Sequence, residues 1–525
     1  MFIGRDGSGT DRRHVDRSAR RPPICCQNII DNTTKNAHRL PPYRSTIRFM
    51  ASNLLIILSD EHSPGIMGCA GHDEVSTPHL DALAASGTRF ANAVCASPIC
   101  VPTRAALATG QAVHEAGYWD NVDAYDGAVP SWHHVLRQRG HEVVSIGKLH
   151  YRGAGGDDYG FSESLLPMHI HGGRGEVKML LRNPPASLGD GANMLASARA
   201  GESDYNRYDD RICDTAAEWL RRKAAAPVPD KPWVLMVSLV APHFPLTVPA
   251  PFFDMYAGRP LRLPKAYRFG IDDEAHPFIR QYARETGYNN HFRDESDVRR
   301  ALAGYYGLVS FLDAKVGTLM RTLKECGLDG ETRVMYLSDH GDNVGARGLW
   351  GKSTMYAESV GIPLILSGAG IAAGRVEQTP VGQTDVYDTV LDAVGAPADA
   401  GRISPSARSL LRELPADRAV LSEYHTVGSR AAVFMLRDAH TKYVHYCDHP
   451  PQLFDLDDDP DELRDIAAQS PERVRAWRDR LAGFCDPDEA DRRAKTRQAE
   501  LIRHYGGEAA IRAGVGIGGY TPVSA

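Results

Sequence analysis

No stretch of this 525-residue chain approaches the roughly 18 consecutive apolar residues of a membrane-spanning helix. Cysteine is sparse and unpatterned: there are nine, an odd number, with no Cys-x-x-Cys pair at zinc-ligand spacing. That usage fits a soluble protein of a reducing compartment, here expected to be the cytoplasm. Charge of one sign is also lacking. The net value is −6, so no strong basic field directs the chain to nucleic acid. Internal repeats and long low-complexity tracts are absent. What is present is bulk: 42% of the residues are hydrophobic, enough to bury a large core.

The charge is unevenly spread. Residues 1–49 hold ten Lys/Arg against four Asp, and have no apolar periodicity and no run long enough for a signal peptide. Met50-Ala51-Ser52-Asn53 then leads straight into a strand-like run. Residues 1–49 therefore read as a disordered extension with Met50 as the natural start; an Arg-rich transit peptide is the weaker alternative.

Asn53-Leu54-Leu55-Ile56-Ile57-Leu58-Ser59 is continuously apolar and stops at Asp60-Glu61. Such a run suits a strand buried on both faces of a parallel sheet. Glu142–Ile146, Trp233–Val240, Thr332–Leu337 and Gly361–Leu366 repeat the pattern. Helical stretches lie between them: Pro78–Ala84, one starting near Pro102, Ser131–Arg139, 297–326 and Thr384–Val394. The alternation predicts an α/β fold with a large, mixed, mostly parallel sheet flanked by helices. After about residue 415, four short strand-like segments with brief turns predict a smaller antiparallel C-terminal subdomain. The expected domains are 50–415, 416–485 and a polar tail, 486–525. Residues 150–210, rich in Gly and Asp, read as an insertion shaping a substrate pocket.

Ligands in such sheets bind at the carboxyl ends of strands. Asp60-Glu61, Gly147-Lys148, His243 and Asp339-His340 all fall there. The two acidic pairs offer three carboxylates and an imidazole, and oxygen-rich ligation favours Ca²⁺, Mg²⁺ or Mn²⁺ over zinc. Taken singly, each Asp is as well explained by capping of the helix that follows a strand.

The run Cys100-Val101-Pro102-Thr103-Arg104, followed by Leu107-Ala108-Thr109-Gly110, resembles the Cys-x-Pro-x-Arg signature of the type I sulfatases, within the alkaline-phosphatase-like superfamily. Ser338-Asp339-His340-Gly341-Asp342 is similar to that superfamily's second metal motif, and Gly147-Lys148-Leu149-His150 to the family's Gly-Lys-x-His. Gln452-Leu453-Phe454-Asp455-Leu456 with Asp459-Pro460-Asp461-Glu462 is similar to an element near sulfatase C-termini. The resemblance spans about 52–470.

It implies that Cys100 is oxidised by a maturation enzyme to formylglycine, whose hydrate is the nucleophile. It implies one divalent cation, Ca²⁺ ahead of Mg²⁺ or Mn²⁺, held by Asp60, Glu61, residue 100, Asp339 and His340. Glu61 stands where the family more often has Asp or an amide, and His340 where many calcium-bound members have Asn. Arg104 would orient the hydrate, Lys148 and Lys352 would neutralise sulfate oxygens, and Asn121 would contact substrate. His243 would protonate the leaving oxygen and His150 would act as base to regenerate the aldehyde. One hydroxyl of the hydrate attacks sulfur; loss of a proton from the other expels sulfate, an exit closed to a serine ester.

Three functions compete. The motifs together imply hydrolysis of a small-molecule sulfate ester, by a chain that could form a homo-oligomer. Phosphonate monoester and phosphodiester hydrolases share Cys-x-Pro-x-Arg and the Asp-His pair but lack Gly-Lys-x-His. A non-catalytic binding protein would have lost a nucleophile or ligand position, and all are filled. The spacing of Trp119-Asp120-Asn121 and of Gly147–His150 resembles the choline-sulfatase branch, although the tail offers Tyr505 and Tyr520 but no Trp for a quaternary ammonium. Aryl and sugar sulfates remain open.

Overall fold

The computed structural model describes residues 51–185, 195–270, 274–396, 404, 406–514 and 523. The expected extension 1–49 and its boundary at Met50 lie outside them. All described residues belong to one compact unit, 49–525.

The apolar run becomes strand β1 (Asn53–Asp60). Side chains alternate across a strand, so Leu54, Ile56 and Leu58 enter one core and Leu55 and Ile57 the opposite one. The chain continues through β2 (Gly87–Phe90), β3 (Val143–Lys148), β4 (Glu163–Met168), β5 (Val234–Pro242), β6 (Thr332–Ser338), β7 (Leu364–Ser367) and β8 (Arg375–Glu377). These form an eight-stranded sheet in the order β8-β2-β7-β6-β1-β5-β3-β4. Only β7 runs against its neighbours, as the antiparallel pairings of Leu364 with Leu337 and of Ile365 with Arg89 show.

Helices cover both faces. Trp132 and Leu136 of α3 (Trp132–Gln138) and Val390 and Leu391 of α7 (Asp385–Ala393) pack on the Leu54 side. Ile212 and Ala216 of α4 (Asp204–Ala225) and Phe311, Leu312 and Leu319 of α6 (Glu295–Glu325) pack on the Leu55 side. Helix α2 (Cys100–Thr109) is buried at every residue and ends at Gly110. Gly110 has φ 68°, and a Cβ there would stand 2.7 Å from the Cβ of Tyr387, so this turn has no room for a side chain.

The expected insertion supplies the edge strand β4, paired in parallel with β3. The antiparallel subdomain consists of β9 (Val420–Tyr424), β10 (Val433–Arg437), β11 (Thr441–Tyr446) and β12 (Gln452–Asp455), in sequential order, followed by α8 (Pro471–Ala482).

The polar tail is a correction. It begins with α9 (Pro487–His504), 18 residues long. Asp486 caps this helix by accepting from the Asp488 and Glu489 N–H groups, with Pro487 at the first helical position. Ala490, Ala494 and Gln498, four residues apart, form its buried stripe. Gln498 Nε2 donates to Asp120 Oδ2 (2.9 Å) and His425 O (2.8 Å), which ties α9 to the catalytic unit. Among the described residues no helix is long and apolar enough to cross a membrane.

Candidate active site

Strands β6, β1, β5 and β3 are consecutive in the sheet and deliver their carboxyl ends to one place. β1 ends in Asp60 and continues to Glu61; β6 gives way to Asp339 and His340; β3 ends in Lys148; β5 leads to His243. Cys100, the first residue of α2, faces this cluster. Its Sγ is 3.1 Å from His340 Nε2, 3.3 Å from Lys352 Nζ and 3.9 Å from Asp60 Oδ1. Burial, with Asp60 next, pushes the thiol up to about 12, so an unmodified Cys100 carries its proton at neutral pH and is a poor nucleophile.

Arg104 organises the inner layer. Its guanidinium is fully engaged: Nε donates to Asp339 Oδ2 (2.8 Å), Nη2 to Asp60 Oδ2 (3.0 Å), and Nη1 to Lys148 O (2.7 Å) and Ser238 Oγ (3.0 Å). Arg104 therefore holds the two strand-end carboxylates. Lys148 Nζ lies 2.5 Å from Asp60 Oδ2, and both side chains are buried. Burial opposes the charge of Asp60, but the cations of Lys148 and Arg104 outweigh it and hold the carboxyl well below its ordinary range.

The outer layer is less settled. Glu61 has φ 68°, a left-handed backbone that a non-glycine residue keeps only when held there. Tyr305 of α6 does the holding: its hydroxyl donates to Glu61 O (2.7 Å) and accepts from Ser63 N (2.9 Å). The Glu61 carboxylate does not join Asp60, Cys100, Asp339 and His340. Its Oε2 meets Lys352 Nζ at 2.9 Å and His243 Nε2 at 3.3 Å; the buried Oε1 accepts no hydrogen bond, and the Asp342 carboxylate stands close enough to share a proton with Glu61. Burial pushes Glu61 up to about 8 despite Lys352. Burial opposes the charge of Lys352, but the neighbouring acidic groups, Asp60 among them, keep it an ammonium.

Both histidines are neutral in this state. Burial, then Lys352 and Lys148, holds His243 well below its ordinary value; for His150 the causes are burial, then Lys148 and Arg104. A neutral His150 is competent as a base. His243 Nδ1 is 2.6 Å from Phe244 O, so the single ring proton sits on Nδ1 and Nε2 is an acceptor. The acid role assigned to His243 thus requires a prior proton, which an incoming sulfate would favour. Asn121 Oδ1 accepts from Val101 N (3.1 Å) and secures the first turn of α2.

Several supporting residues carried no sequence signal. Gln383 donates from Nε2 to Ser338 O (3.1 Å) and Asp339 O (2.8 Å) and takes the Thr103 hydroxyl on its Oε1. Asp209 of α4, buried, accepts from Val240 N (2.7 Å) and Ala241 N (2.8 Å) just before His243. Asp342, inside the motif already quoted, accepts from Val344 N (2.6 Å) and Gly351 N (3.1 Å) and so shapes the turn that carries Lys352.

The donor atoms of Asp60, Cys100, Asp339 and His340 all lie within 4.8 Å of one another, and all four residues are buried. Asp60, Glu61 and His243 form a second group that shares Asp60. Clustered buried carboxylates, an imidazole and the orphaned Glu61 Oε1 fit one divalent cation.

Comparison with known proteins gives a consistent result. The family model "Sulfatase" matches residues 52–396, and "N-sulphoglucosamine sulphohydrolase, C-terminal" matches 345–479. The choline-sulfatase of Rhizobium meliloti is 30% identical over 85% of this chain and 89% of its own length. Arylsulfatase K of Danio rerio is 29% identical, covering 80% of this chain and 81% of its own. The crystal structure of the phosphonate monoester hydrolase of Agrobacterium radiobacter superposes with a TM-score of 0.65 at 20% identity, covering 82% of this chain and 95% of that one; at this identity it speaks for the fold.

Proposed function

The chain belongs to the sulfatase family, a sulfuric ester hydrolase, and on that premise we propose that residue 100 works as a formylglycine made from Cys100 by a maturation enzyme of the host. The observation that carries this reading is the setting of Cys100: an inert, protonated thiol at a helix start, within 4 Å of a lysine, an imidazole and a carboxylate. Such a cage does little for a thiol and much for an oxygen nucleophile. The contacts of Sγ mark where the hydrate oxygens of the aldehyde would stand.

A divalent cation held by Asp60, Asp339, His340 and residue 100, with Glu61 Oε1 as a further donor, would acidify the attacking hydroxyl and offset sulfate charge. The chain's own groups do the rest. Lys352 is placed against residue 100, where it meets the transferring sulfate, and Lys148 adds positive charge behind Asp60. Arg104 fixes the carboxylates without touching the ester. His150, neutral, accepts the proton whose removal expels sulfate. His243, once protonated as the anion enters, returns a proton to the leaving alcohol.

Mass spectrometry of the peptide containing Cys100, from protein made in its native host, is expected to show the aldehyde or its hydrate; an unmodified thiol throughout would overturn the reading. A panel of choline sulfate, an aryl sulfate, a sulfated sugar and a phosphonate monoester then sorts the substrate. Faster turnover of the phosphonate would favour the rival reading.

A further inference from the structure

The C-terminal subdomain contains a second cluster of metal-binding side chains, remote in chemistry from the first. We propose that His445, Cys447 and Asp488 bind Zn²⁺ or a similar transition-metal ion, which fastens α9 to the end of β11. The imidazole, thiol and carboxylate donor atoms all lie within 4.8 Å of one another. Two chain elements bring them there. His445 and Cys447, two residues apart at the end of β11, project from the same face of the strand. Cys447 is the first residue past the strand, and its N–H still donates to Ala432 O (3.1 Å), which carries the ladder one step further. Asp488 lies in the first turn of α9, and the thiol already reaches back to Pro487 O at 3.6 Å.

This donor set differs from the oxygen-rich catalytic group. One thiolate, one imidazole and one carboxylate suit zinc or cobalt, with a fourth position open to water. His445 and Cys447 are half-buried and Asp488 is exposed, so an ion can enter from solvent. The neighbourhood is acidic: Asp448, Asp488 and Asp491 all bear on Cys447, and Lys495, the nearby cation, is paired with Asp491 Oδ2 at 2.6 Å. Arg478 bears on His445 from α8 and is the opposing charge.

An ion here would act at a distance. α9 carries Gln498 and Arg497, which hold Asp120 and Asp123 on either side of Asn121, and Asn121 secures the turn that starts with Cys100. The site therefore tethers the helix that buttresses the catalytic loop.

The test is titration of the full-length, chelator-stripped protein with Co²⁺, followed by metal analysis and near-ultraviolet absorption. Two equivalents are expected, one giving a thiolate-to-cobalt charge-transfer band that survives Cys100→Ser and vanishes in Cys447→Ser. Zn²⁺ should raise the melting temperature of the parent protein more than that of Cys447→Ser. Should Cys447→Ser fail to fold, Asp488→Asn is expected to weaken the second Co²⁺ by roughly tenfold or more. No Co²⁺ giving the thiolate band, a band that persists in Cys447→Ser, or unchanged affinity in Asp488→Asn would overturn the proposal.

Discussion

Two lysine–glutamate pairs with buried glutamates stand at the two ends of the loop 352–357, and they differ in what their glutamates leave over. Lys352 donates to Glu61 at the catalytic cluster. Lys442 of β11 pairs with Glu462 and also donates to Met355 O (2.9 Å). Both glutamates have left-handed backbones, φ 68° and 55°. Glu462, however, is satisfied at both oxygens, since Oε2 accepts from Ala357 N (3.0 Å). Glu61 keeps a buried oxygen that accepts no hydrogen bond. The same interaction docks the C-terminal sheet on the loop in one case and leaves capacity for a ligand in the other. A buried ion pair reveals its role through its unsatisfied atoms, more than through its burial.

The largest effect is expected at the residue that the unsatisfied side serves. Cys100→Ser keeps an oxygen nucleophile but removes the route to the aldehyde. Sulfate-ester turnover should fall by roughly 10⁴-fold or more, with one equivalent of sulfate left covalently bound, measurable by intact-protein mass spectrometry. Retained turnover would mean that position 100 works without conversion.

The two lysines then divide stability from activity. Lys352→Ala should cost about 10²–10³-fold in kcat/KM, because it removes a cation that faces the transferring group. The fold should tolerate the change, since Glu61, already pushed up to about 8, takes up a proton. Lys442→Ala strands Glu462 in a dry interface and should destabilise by about 3–5 kcal/mol, while kcat/KM per folded molecule holds. Parallel denaturant melts and kinetics read both. If Lys442→Ala lost activity without losing stability, the division between the pairs would fail.

The sequence made one half of this contrast legible and hid the other. Continuous apolar runs ending in Asp60, Lys148 and Asp339 announce buried parallel strands and place charges at their ends, and the sheet assembles them as adjacent strands. Arg104, Lys352 and His340 are likewise readable because each lies at a fixed spacing inside a motif. What the motifs do not encode is orientation. Arg104 turns to the carboxylates and Asn121 to a backbone N–H, choices set by which buried group most needs a partner. Lys442, Gln383, Asp209 and Tyr305 carried no signal, since each matters through a contact with residues far away in the chain. The helix at the start of the tail is announced only by the cap Asp486-Pro487-Asp488-Glu489, within an otherwise polar segment.

Asp209 offers a gentler probe of the satisfied kind of buried charge. Burial pushes its carboxyl up to about 7, although two backbone N–H groups favour the anion. The folded value exceeds the unfolded one, so between about pH 4 and pH 7 the native state holds a proton that the unfolded chain has released. Stability from this group is therefore full at low pH and is lost as pH rises towards 7, at up to about 1.4 kcal/mol per pH unit. Asp209→Asn should remove that slope, read as the difference between variant and parent melts across this range. An unchanged slope would show that Asp209 is ionised throughout. Because Asp209 only positions the backbone before His243, kcat should fall modestly and KM should stay.

Tyr305 carries the smallest effect and separates the two pairs most finely. Its hydroxyl is the bridge that keeps Glu61 in its left-handed conformation, through Glu61 O and Ser63 N. Tyr305→Phe leaves both buried backbone groups unpaired, at a cost of about 1–3 kcal/mol in stability. A purely structural bridge would show that loss alone. If the strained backbone is held so that Oε1 is presented to a cation, the variant will also need more divalent cation for half-maximal activity, by roughly two- to tenfold at a loss of about 1 kcal/mol in positioning. Cation titration of activity at fixed temperature, well below melting, distinguishes the two. No such shift is expected when Glu462 is altered, because its conformation serves an interface already complete.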